Sequence, residues 1–118
     1  MEKIPCICKM RDLCIAISEL ENSLEERYGV SLNEAMVMCC IGSDKVAAGD
    51  ISKATGIRSS NLSKVLRSIE EKGLITRAFG DNDKRQIYFT LTTEAIDRLH
   101  ALKCDGVRIP DMLKSFFE

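Results

Sequence analysis

Between Ala48 and Leu91 the spacing of apolar residues changes period once, and that change leaves few folds open. Leu62, Val65, Leu66 and Ile69 follow i, i+3, i+4, i+7, the repeat of one helix face, whereas Ile87, Phe89 and Leu91 alternate with Gln86, Tyr88 and Thr90, the repeat of a strand. Glycines bracket the helical stretch. Gly56 suits the left-handed turn between two helices, and Gly73 closes the second of them. The spacing therefore predicts a short helix from near Ala48 to Gly56 and a longer one over about 59–72, capped by Ser59 or Ser60. Strands follow over Leu74–Phe79 and Gln86–Leu91, joined by the polar loop Gly80-Asp81-Asn82-Asp83-Lys84-Arg85.

Helix, glycine turn, helix and hairpin in that order is a winged helix-turn-helix, a mainly α (α+β) fold with a two-stranded wing. The flanks are helical. Met10, Leu13, Cys14, Ile17, Leu20 and Leu24 recur at three- and four-residue steps from Ile7 to Tyr28, and Gly29 ends that run. Ser31 and Glu34 form a capping box for a helix from Leu32 to about Ile41, apolar on almost every side and expected to be buried, with Cys39 and Cys40 as core residues. Thr92 or Thr93 caps a helix through Ile96, Leu99 and Leu102 to about Cys104, Gly106 ends it, and Pro110 starts a short terminal helix. One domain over 1–118 is expected, with a winged core at 31–91 and dimerisation helices at about 1–30 and 92–118.

At 118 residues a partner subunit would help complete the core. The start Met-Glu-Lys lacks the pattern of a signal peptide, and no window holds the roughly 18 apolar residues of a membrane span, so a cytoplasmic protein without membrane contact is expected. In that compartment the six cysteines read as free thiols. The net charge of −1 conceals an uneven distribution. From Lys53 to Thr90 eight basic side chains stand against four acidic ones, a net +4, which leaves −5 for the remainder. A basic middle between acidic ends points to one anion-facing surface.

A helix of this kind fits the major groove of DNA while the hairpin reaches phosphates or the minor groove. The candidate DNA-binding residues are Ser59, Ser60, Asn61, Ser63, Lys64 and Arg67 on the helix, with Arg77, Lys84 and Arg85 on the hairpin. Short hydroxyl and amide side chains permit close approach, and the helix N-terminus favours a phosphate. An enzyme is not expected. The chain has one histidine, no serine-histidine-acid set and no phosphate-cradling glycine loop, and nothing calls for a cofactor.

Over about residues 32–95 the sequence resembles the MarR family of winged-helix regulators. Three segments carry the resemblance: Asp50 to Ile57, Asn61 to Arg77, and Asp83-Lys84-Arg85 followed by Leu91-Thr92. It implies that Arg85 is a wing arginine entering the minor groove, that Asp83 braces it through a salt bridge, and that the terminal helices form a homodimer. The expected partner is a pseudo-palindromic double-stranded operator, and the expected role is a transcription regulator, a repressor ahead of an activator. Ala47 stands where the family often has a capping Ser or Thr, Ala95-Ile96 replaces the usual glycine after the wing, and the C-terminal region is short.

Two alternatives stay open at the level of sequence. Cys6, Cys8 and Cys14, with His100 and Cys104, would give a thiol- or metal-responsive sensor if their helices met. The same fold also serves as a protein-interaction module that never touches DNA. No motif identifies a small-molecule effector.

Overall fold

The computed structural model describes residues 4–80 and 85–116. Its elements are α1 (Pro5–Tyr28), α2 (Leu32–Ile41), β1 (Val46–Ala47), α3 (Ala48–Thr55), α4 (Ser59–Glu71), β2 (Ile75–Phe79), β3 (Ile87–Leu91), α5 (Thr93–Asp105) and a terminal 3₁₀ helix (Asp111–Phe116). They fall into two compact units. One comprises the residues up to Leu32 together with those from Gly106 onward, and the other Asn33–Asp105. No helix among the described residues is long and apolar enough to cross a membrane.

In the first unit, α1 starts with Pro5 in its first turn, where the missing N–H has no intrahelical role, and stops at Gly29 with φ 70°. The stripe expected on α1 is only partly buried. Ala16, Leu20 and Leu113 form the core, with Leu13, Ile17, Val107 and Ile109 packed against them, while Ile7, Met10 and Ile15 are exposed. Tyr28 Oη donates a 2.5 Å hydrogen bond to the carbonyl of Gly106, tying the end of α1 to the start of the C-terminal segment.

The second unit holds the winged helix. Ile51, Leu62, Leu66 and Ile69 are buried, so the stripe expected on the longer helix is the face that packs inward. α3 packs on α4, and α4 on β2. α4 ends as its glycine predicts: Gly73 has φ 74°, its N–H bonds to the carbonyl of Glu70, and the Leu74 N–H bonds to that of Ile69. That pair of bonds satisfies two carbonyls the last helical turn leaves open. Thr92 Oγ1 accepts from the Ala95 N–H and so caps α5.

The sheet has three strands, not two. β2 and β3 pair antiparallel from Ile75↔Leu91 to Phe79↔Ile87, and β1 adds Val46↔Phe89 and Ala47↔Tyr88 on the other side of β3, giving the order β1-β3-β2. A two-residue strand is too short for alternation to reveal it.

On α2 the buried residues are Glu34, Val37, Met38 and Ile41, an i, i+3, i+4, i+7 stripe that includes a carboxylate. This corrects the expected role of the two cysteines. Cys39 falls off the stripe and is exposed, and Cys40 is only half-buried. Burial, followed by the neighbouring Cys39 and Asp50, pushes the Cys40 thiol pKa up.

Candidate nucleic-acid interface

The turn between α3 and α4 is held by side chains of α3. Ser52 Oγ donates 2.6 Å to the carbonyl of Ile57. Thr55 Oγ1 donates 2.7 Å to the carbonyl of Ile51 and accepts from the Ile57 N–H at 3.3 Å. With Gly56 in the left-handed region at φ 76°, these bonds fix where the chain leaves the turn. α4 therefore begins one residue earlier than a serine cap requires. Arg58 takes the N-cap position with extended backbone and no side-chain capping bond, and Ser59 is already helical. The expected capping role of Ser59 or Ser60 is thus not what these hydroxyls do. Ser63 Oγ bonds back to the carbonyl of Ser59 at 3.1 Å, and Ser60 is exposed on the first turn.

Ser59, Ser60, Asn61, Ser63, Lys64 and Arg67 are all exposed, opposite the stripe of Leu62, Leu66 and Ile69. Among the described residues, Arg58, Lys64 and Arg67 have no ion-pair partner. Sequence reasoning counted Arg58 in the basic stretch but left it out of the interface. Its signal was position: a base directly preceding the hydroxyl run at a helix N-terminus, where phosphate is favoured.

The C-terminal half of the helix is differently arranged. The buried Glu34 carboxylate accepts from Ser68 Oγ at 2.8 Å and pairs with Lys72 Nζ at 2.7 Å, linking α2 to α4. Glu70 Oε2 receives Arg77 Nε at 2.7 Å, and Arg77 also lies over the Phe89 ring at 5.7 Å. The bond and charge of Glu70 raise the Arg77 pKa. Arg77 thus joins the interface region with its guanidinium already engaged, unlike Arg67.

On the hairpin, the Gly80 N–H bonds to the carbonyl of Gln86 at 3.0 Å, and Arg85 is exposed. Lys84 and Asp83, the other wing residues expected to matter, lie outside the described residues. Beside the loop, Phe79 and Ile87 face each other in register and are both exposed.

The proposed sensor set is not assembled as a ligand group. Among the described residues no three His, Cys, Asp or Glu side chains stand where they could hold a metal ion. Cys6, Cys8 and Cys14 belong to the unit of α1, whereas His100 and Cys104 belong to the winged-helix unit.

No curated protein matches this sequence. Solved structures do. The chain is similar to Staphylococcus aureus MepR in its DNA complex, at 22% identity and TM-score 0.66 over 80% of this chain and 79% of that one. It is similar to Bordetella bronchiseptica BpsR, whose DNA binding is regulated by 6-hydroxynicotinic acid, at 15% identity and TM-score 0.73 over 87% and 73%. Streptomyces coelicolor AbsC, a MarR family transcriptional regulator, matches at 19% identity and TM-score 0.72 over 89% and 75%. These likenesses establish the winged-helix fold. The sequence profile of the MarR family matches residues 28–86, half of the chain. The protein belongs to the MarR family, whose members are transcription regulators and not enzymes.

Proposed function

We propose that this protein is a sequence-specific regulator that binds double-stranded DNA as a homodimer on a pseudo-palindromic operator and acts as a repressor. In this reading the first half of α4 enters the major groove. Arg67 and Asn61 reach base edges, Arg58 and Lys64 reach phosphates, and the serines allow close approach. The wing at 80–85 lies along the backbone, with Arg85 directed at the minor groove. One observation carries the reading: three cations on an exposed helix face, Arg58, Lys64 and Arg67, have no internal ion-pair partner among the described residues. A polyanion meets them without breaking an existing pair. The MepR–DNA complex, built on the same fold, supports it.

The homodimer rests on the terminal unit. Ile7, Met10, Ile15, Met112 and Phe116 are large, apolar and exposed there, more than an isolated small domain usually leaves in water. A second copy covering them makes a two-fold protein that reads two half-sites with centres about 10 base pairs apart. A stable monomer in sedimentation at micromolar concentration would refute this part.

Selecting bound sequences from a random DNA pool tests the whole proposal. The expected product is a two-fold symmetric motif whose affinity falls steeply with salt, as phosphate contacts require. Arg85→Ala should weaken binding to that motif with little change in preferred sequence. A pool without enrichment overturns the proposal. Repression is checked by transcription in vitro from a promoter carrying the selected motif, where a rise on adding protein reverses the sign.

A further inference from the structure

The apolar face of the hairpin runs on past the core that covers it. Ile75 and Leu91, then Arg77 and Phe89, then Phe79 and Ile87 stand opposite each other, and alternation puts all six on one side of the sheet. Ile75 and Phe89 are buried, and the Arg77 guanidinium, held by Glu70 of α4, lies over the Phe89 ring at 5.7 Å. One rung further out, Phe79 is 66% exposed and Ile87 37%. The hairpin does not need an apolar rung in order to close. On its other face Thr76 and Thr90 pair through hydroxyls 2.9 Å apart.

Two side chains are too few for a protein interface. A phenylalanine buries about 150–250 Å², whereas each partner of a specific protein complex covers about 800 Å². The pair does match the step between two stacked base pairs, into which minor-groove proteins insert Phe or Ile as wedges. Its position fits that target. The exposed Arg85 is two residues from Ile87, at most about 7 Å of extended chain, and the minor groove is about 6 Å wide and 7.5 Å deep. Arg85 in that groove brings the rung of Phe79 and Ile87 to its edge. Charge agrees, because the stretch 53–90 that carries the pair is net +4 in a chain of net −1.

We propose that Phe79 and Ile87 form an apolar wedge that enters the minor groove beside Arg85, parts one base step and bends the duplex. The proposal rests on the DNA-binding reading and adds to it a deformation of the DNA. Pyrimidine–purine steps unstack most easily. The wedge therefore selects sequence at a step to which it makes no hydrogen bond.

A duplex carrying the selected operator motif, with donor and acceptor dyes at its ends, is mixed with the full-length protein. Energy transfer should rise as a kink of about 20° or more forms at each wing. 2-Aminopurine placed at the pyrimidine–purine step beside each half-site should brighten as it unstacks. Phe79→Thr and Ile87→Thr keep strand-forming residues; each should retain the wild-type unfolding midpoint, still bind the motif and lose both signals. Phe79→Leu should keep them, since leucine also serves as a wedge. If one threonine variant fails to fold, the other decides. A straight duplex bound by the wild type, or a bend that the threonine variants retain, overturns the wedge and leaves DNA binding standing. Self-association that Phe79→Thr abolishes, without a bend in DNA, overturns it in favour of a second copy. A random pool without enrichment removes DNA binding and the wedge together.

Discussion

The two halves of α4 share one hydrophobic stripe and differ in what their polar side chains do. Up to Arg67, the cations Arg58, Lys64 and Arg67 point into solvent without an ion-pair partner among the described residues. From Ser68 onward three polar side chains are occupied with holding the helix, Ser68 and Lys72 on Glu34 and Glu70 on Arg77. The difference teaches how one short helix can be both anchored and available. Its far end is fixed to α2 and β2 by charge-assisted bonds, so its near end meets a ligand already oriented and loses little freedom on binding.

The largest expected break is on the anchored side. Glu34→Ala strands Lys72 and Ser68, and urea unfolding should show a loss of about 2–3 kcal/mol; removing one partner of a fully buried pair costs about 3–5 kcal/mol, but Lys72 is a third exposed and regains water. On the available side, Arg67→Ala should lower affinity for the selected operator by about 1–3 kcal/mol, roughly tenfold to a hundredfold, and relax preference at one base position while leaving the unfolding midpoint unchanged. Equal binding of wild type and variant would remove Arg67 from the interface. A smaller effect is expected of Lys64→Ala, which should weaken all sequences alike and reduce the salt dependence of log K by roughly one unit of slope. The smallest is Arg77→Ala. Its pair with Glu70 is half exposed, so stability should change by less than about 1 kcal/mol, and DNA affinity should not move. A drop in affinity as large as that of Arg67→Ala would erase the distinction between the two halves.

Much of this contrast was legible in the sequence, and what was not has identifiable causes. The period of Leu62, Leu66 and Ile69 and the glycines at 56 and 73 encode local backbone geometry, so the two helices and their C-terminal ends were readable from them. β1 escaped because two residues carry no period. Arg58 escaped as a cap because the start of α4 is set by Ser52 and Thr55 across the turn, not by the preference of the serines themselves. Cys39 was misplaced because composition made α2 look apolar all round, while the stripe that packs runs through Glu34. The pairs Glu34–Lys72 and Glu70–Arg77 join residues that only the fold brings together. Charge counting treated Arg77 and Arg67 as equals, and only the position of Glu70 separates them.

The strand β1 has a consequence for how the unit comes into being. Val46 pairs with Phe89, and α3, α4 and β2 all lie between them in the chain. A contact of such sequence separation closes a large loop, which costs entropy and slows folding relative to local helix contacts. During synthesis α3 and α4 are made well before β3, and until Phe89 emerges they have each other but no completed sheet. The helix proposed to read DNA therefore acquires its final setting late, when one strand on each side of the helical pair closes over it.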